Sequence, residues 1–164
     1  MSPDPDHVAK TQDEWKRERP DLDVSPTRVI GRLHRLAAHL TDELVVVYNR
    51  HGLGEGEFDV LATLRRAGPP FERAPGELAV NTMVTTGAMT KRIDRLIQAG
   101  LVTRRESITD GRRRVIGLSP QGRELIDAAF TEHMSNERRL VEMLSSSERE
   151  QLEVILLTWI SRFE

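Results

Sequence analysis

The sequence predicts a mainly α-helical chain with a small β-hairpin about two thirds of the way along. Three observations predict this. Apolar residues recur at spacings of three and four through most of the 164 residues. Two such stretches open on a Ser-Pro step, Ser25-Pro26 and Ser119-Pro120, where serine suits a helix cap and proline the first helical position. Around "ITDG" the pattern changes to short β-like runs on either side of a turn.

From Asp6 to Arg19 the sequence predicts a polar helix stopped by Pro20. Its apolar side is only Val8 and Trp15, too little to hold a lone helix, so this one must dock. The stretch "SPTRVIGRLHRLAAHLTDELVVVYNRHG" reads as one long helix with Ser25 at the cap and an end near Gly52. Val29, Leu33, Leu36, Leu40, Leu44 and Val47 form its apolar stripe, and Gly31 inside it has no account in the pattern. "GEGEFDVLATLRRAG" puts Phe58, Leu61 and Leu64 on one helical face, ended by Pro69 and Pro70.

A short helix with Leu78 and Ala79 follows, then a turn, then a longer helix ending at Gly100. The longer helix turns Met89, Ile93, Leu96 and Ile97 to the core, and Thr85 or Thr86 can cap its start. Short helix, turn and longer helix make a helix-turn-helix. "LVTRRES" and "RRRVIGL" form the hairpin directly after it, which makes the hairpin a wing. "SPQGRELIDAAFTEHMSNERRLVEML" restarts the helical period, and Ser145 with Glu148 form a capping box for the last helix. Leu152, Ile155, Leu156, Trp159, Ile160 and Phe163 give that helix a broad apolar stripe.

Composition narrows the function. There is no cysteine, which excludes disulfides and thiolate metal sites. No apolar run approaches the roughly 18 residues of a membrane span, and the acidic, proline-rich start is unlike a signal peptide, so the expected location is the cytoplasm, with no membrane partner. The five histidines, His7, His34, His39, His51 and His133, are scattered, and His34 and His39 are spaced wrongly to stack two ligands on one helical face. With no nucleophile elbow and no Gly-rich phosphate loop, neither an enzyme nor a cofactor is expected.

Charge is unevenly placed. Thr85 to Arg114 carries eight basic and three acidic residues, a charge of +5, which leaves −7 on the rest of a chain of net −2. Such a block suits a polyanion, double-stranded DNA above all, although a solvated charged face reads the same way by charge alone. In a winged helix-turn-helix the second helix enters the major groove. Its exposed candidates here are Thr85, Thr86, Ala88, Thr90, Lys91 and Arg95. The wing tip "TDGRRR" can place Arg112 in the minor groove, with Arg113 or Arg114 on phosphates, or Asp110 can simply pair with these arginines across the turn. A winged-helix protein-interaction module is the alternative outside DNA binding.

The order of elements and the segment "GAMTKRIDRLIQAGLVTRRESITDGRRRVIGLSPQGREL" resemble MarR-family winged-helix repressors from about Ser25 to Glu164. Gly111 departs from the pattern of many members, which carry arginine directly after the aspartate. The resemblance implies an intertwined homodimer reading a pseudo-palindromic operator, with helices at both ends of the chain interlocking the copies. The expected parts are an extension at 1–24 with an extra helix and a MarR-like domain at 25–164. Within that domain the winged helix-turn-helix falls at about 54–118 and the dimerisation helices at about 25–51 and 119–164.

"WKRERPDLD", with "EFDVL" and "KRIDRL" further on, is similar to the PecS-like, urate-responsive subgroup, which carries an extra N-terminal helix. That resemblance implies that Trp15, Asp59, Arg92 and Arg104 form or serve a pocket for urate or a related purine, whose binding releases a repressor from DNA. The residue types agree: Trp15 suits an aromatic wall and Arg104 a bidentate partner for the anion, Asp59 can bond a ring N–H or be repelled by the anion and push its helix, and Arg92, on the recognition helix, can relay that push. Each has a plainer reading. Trp15 can be a docking anchor, Asp59 with an arginine a structural ion pair, and Arg104 a phosphate contact. Another small aromatic anion or phenolic compound is the alternative effector.

Overall fold

The computed structural model describes residues 6–81, 86–106 and 114–164. In chain order the elements are α1 (His7–Glu18), α2 (Thr27–Arg50), α3 (Glu55–Arg66), β1 (Glu72–Arg73), α4 (Pro75–Asn81), α5 (Thr86–Gln98), β2 (Val102–Glu106), β3 (Arg114–Leu118), α6 (Pro120–Val141) and α7 (Ser146–Ile160). The architecture is mainly α with a small antiparallel sheet, as the periodicity predicts. The chain divides into two compact units, one up to Glu43 and one from Leu44 onward.

In the first unit α1 is the docked polar helix that the sequence requires. Asp6 caps it, its Oδ1 accepting from the Ala9 N–H at 2.9 Å. Asp6 is also held by Arg32, which donates from Nε at 2.8 Å and from Nη2 at 3.0 Å. Val8 is buried, and a Cβ added at Gly31 would stand 3.2 Å from Val8 Cγ1. Gly31 is therefore the flat place on α2 where α1 comes close, the account that the pattern lacked. Gln12 is buried and donates to the Val24 carbonyl at 3.1 Å. Ser25 does not cap α2 as expected. Asp23 offers a charged acceptor two residues earlier, and the Ser25 hydroxyl and N–H both donate to it, at 3.0 and 2.9 Å, so the helix starts at Thr27.

In the second unit α2 ends at Arg50 and is closed off by Gly52, whose φ of +68° suits glycine. The Leu53 N–H reaches the Tyr48 carbonyl and the Gly52 N–H the Asn49 carbonyl, a Schellman closure. Gly100, at φ +71°, closes α5 in the same way. Phe58, Leu61 and Leu64 of α3, Leu78 of α4, Met89, Ile93 and Leu96 of α5, and Ile126 of α6 share one buried core with Ile116 of β3. The helix-turn-helix period and the wing strands thus stand as read, while the turn before Thr86 and the "ITDG" turn lie outside the described residues. Ser119 caps α6 by accepting from the Gly122 N–H at 2.9 Å, and Ser145 with Glu148 forms the expected capping box on α7.

The hairpin is part of a three-stranded sheet in the order β1-β3-β2. Arg104 pairs in register with Ile116, and Glu72 with Gly117. β1 was not anticipated. It is two residues long, and its pairing with β3 is a long-range contact that no local period records.

Candidate functional site

The candidate DNA-facing side is built from α5. Burial of Met89, Ile93 and Leu96 fixes its rotation and leaves Thr90, Lys91 and Arg95 exposed and Ala88 partly covered. Arg95 lies against α3, where its Nη1 donates to Glu57 Oε1 at 2.9 Å. Thr86 enters only as the first residue of α5, and Thr85, Asp110, Arg112 and Arg113 lie outside the described residues. At the base of the wing Arg105 donates from Nε to Glu72 at 2.7 Å, tying β2 to β1.

The candidate ligand residues fall into three places. Asp59, on the second turn of α3, is half-buried. Burial pushes its carboxyl above the usual carboxylate range and Glu55 adds to this, while Arg92, Arg66 and His133 act in the opposite direction. Close by, Tyr48 stacks on Phe58 with centroids 4.1 Å apart, and burial first, then Asp59, pushes its phenol up to about 12. His133 completes this wall, 5.0 Å from Phe58 by ring centroid, with Nε2 3.1 Å from Glu137.

Arg92 reaches from α5 to the first turn of α3. An added Cβ at Gly56 would stand 2.2 Å from Arg92 Cζ and Nε, so the guanidinium occupies the space that a side chain at Gly56 would fill. Its Nη1 is buried and has no hydrogen-bond partner among the described residues. Arg104 points elsewhere. Its Nη2 donates to Asp94 Oδ1 at 2.9 Å, so the first wing strand is tied to α5. Trp15 is 51 % exposed in the first unit. Val8 and Gln12 are the buried residues of α1.

Sequence reasoning brought Asp59 and Arg92 forward together, and the electrostatics couples them. It missed Gly56, Glu57 and Asp94, which hold the three arginines Arg92, Arg95 and Arg104. The run "GEGEF" did carry a signal. A second glycine two residues after a glycine cap is a poor helix former where alanine would serve, so it asks for a packing reason.

A model of the MarR family matches residues 51–113 of the chain. The HTH-type transcriptional regulator PecS of Dickeya dadantii (strain 3937) is 39% identical over 150 residues, which cover 91% of this chain and 90% of that protein. The chain belongs to the MarR family. The PecS match supports the PecS-like subgroup within it. Among solved structures, AbsC, a MarR family transcriptional regulator from Streptomyces coelicolor, superposes with a TM-score of 0.74 at 21% identity, over 87% of this chain and 97% of that one. The S. aureus MepR–DNA complex gives 0.69 at 22% identity, over 80% and 96%. These likenesses agree with the winged-helix fold. Members of the MarR family are transcriptional regulators and not enzymes, and among the described residues no group of side chains is arranged to hold a metal ion.

Proposed function

We propose that this MarR-family protein is a dimeric transcriptional repressor that is released from a pseudo-palindromic operator by a small planar anion, urate or a related purine. α5 and the wing bind double-stranded DNA. Lys91 and Arg95 supply phosphate contacts, Thr85, Thr86, Ala88 and Thr90 lie at the base edges, and Arg112 and Arg113 act from the wing tip beside Asp110. Asp59 is the acceptor for a ring N–H and Arg92 the cation, and the likeness of "WKRERPDLD" to the PecS-like subgroup supports Trp15 as an aromatic contact for the ligand. The MepR–DNA complex, a fold neighbour, shows that a protein of this fold binds DNA, which supports DNA as the partner proposed here.

The observation that carries the ligand reading is the buried Arg92 Nη1, which has no hydrogen-bond partner among the described residues. A buried, unpaired guanidinium nitrogen is costly. An anion that accepts from it removes that cost, which gives the ligand a reason to prefer this arrangement. The Arg104–Asp94 pair favours a second effector reading, a smaller aromatic anion that needs one arginine and not two.

The test is binding measured on both sides. Titration with urate is expected to quench tryptophan fluorescence. Duplex DNA binding is expected to weaken as salt rises, and Lys91→Ala to flatten that salt slope by roughly one unit. Salt-independent DNA binding would favour a protein-interaction module, and unchanged fluorescence at millimolar urate would exclude urate.

A further inference from the structure

We propose that Gly56 is a positioning residue for effector recognition, resting on the ligand reading above: the absence of its side chain seats the Arg92 guanidinium so that Nη1 is presented to the ligand. Gly56 lies in the first turn of α3 and is buried, although nothing in the backbone there demands glycine. Its φ is not in the left-handed region, and alanine is the better helix former. The space beside it is already occupied. An ideal Cβ would lie 2.2 Å from Arg92 Cζ and Nε and 2.7 Å from Nη2, far inside contact distance. The atoms met belong to the far end of a flexible side chain and not to backbone. A methyl group at position 56 therefore moves the guanidinium and leaves the fold in place.

The seat has a directional consequence. With Nε, Cζ and Nη2 pressed on the helix turn, Nη1 is the corner left without a partner among the described residues, and Asp59 lies one turn further along the same helix. One element thus fixes both polar groups of the site. α3 carries Asp59 directly and holds Arg92, which belongs to α5, by a missing side chain. Any change in the distance between α3 and α5 changes how donor and acceptor are presented together. That makes the site sensitive to the helix that faces DNA.

The test is a double-mutant cycle with urate as the probe, read by calorimetry, using Gly56→Ala, Arg92→Gln and both together in the full chain. Gly56→Ala is expected to keep or raise the melting temperature, to leave ligand-free DNA affinity within about twofold, and to weaken urate binding by about tenfold or more. In the Arg92→Gln background it is expected to cost less than about twofold, because the group it displaces is gone. An equal loss in both backgrounds, or no loss in either, overturns the positioning role. A second readout is the Arg92 Nε–H resonance in arginine-labelled protein, which is expected to shift and exchange faster in Gly56→Ala. If the parent binds no urate, the effector reading fails. The seat is then decided by that resonance alone, and an unchanged resonance overturns it.

Discussion

Asp59 is the residue whose chemistry is most visibly set against stability. Burial raises its folded-state pKa above the unfolded value of 3.8. Between those two values the folded state holds more protons than the unfolded one, so stability falls as pH rises through that window and the full penalty persists above it. Asp59→Asn should therefore melt higher than the parent at neutral pH, and the gap should narrow as pH is lowered toward 3.8. Thermal melts across that range check this, and a variant that melts lower than the parent at neutral pH would show that the ionised carboxylate is stabilising. Such a cost is consistent with the proposed role of Asp59 in binding a ligand. Tyr48 responds to the same carboxylate, since its phenol is pushed up first by burial and then by Asp59. These effects were only partly open to the sequence. The type and spacing of Asp59 and Arg92 were legible, whereas the partners of Arg95 and Arg104 were not, because Glu57 and Asp94 are brought to them across elements by the rotation of α3 and α5.

At the scale of elements, caps and stops were the most legible features. Ser119, Ser145 with Glu148, Gly52 and Gly100 satisfy helix ends through neighbours three to five residues away, so a local pattern records them. Ser25 misled for a related local reason, since the competing acceptor Asp23 is as close in sequence as the cap's own target. Docking was illegible in detail. That α1 must dock followed from its thin apolar side, but Gly31 as the landing place depends on which face of α2 meets Val8. Gly31→Leu should force α1 away, because its side chain needs the space that Val8 fills. Amide exchange across His7–Glu18 is expected to lose most of its protection while the core around Leu61 and Ile116 keeps its own. Undiminished protection of α1 would mean that the Asp6–Arg32 and Gln12–Val24 bonds suffice to hold it.

At the scale of the whole molecule, two helices carry apolar side chains that are exposed among the described residues. Val29, Leu33, Leu36 and Leu40 of α2 are exposed, as are Leu152, Ile155, Leu156 and Ile160 of α7. A second copy covering them is the dimer proposed here. Truncation before Ser146 should then give monomer or aggregate in light scattering, and a soluble dimer of the truncated chain would place the interface elsewhere. The proposed dimer would set two α5 helices against one duplex, so that a small motion at each proposed ligand site would act twice on the DNA. A coupling of about 1–3 kcal/mol corresponds to an affinity change of roughly 5- to 150-fold, enough to empty an operator. The most direct measurement is fluorescence anisotropy of a labelled duplex, selected from a random pool for tight binding, titrated with urate at fixed salt. The account predicts release of the duplex, with its dissociation constant rising at least about fivefold, and no such rise for Arg92→Gln. Full retention of the duplex by the parent at millimolar urate would contradict it.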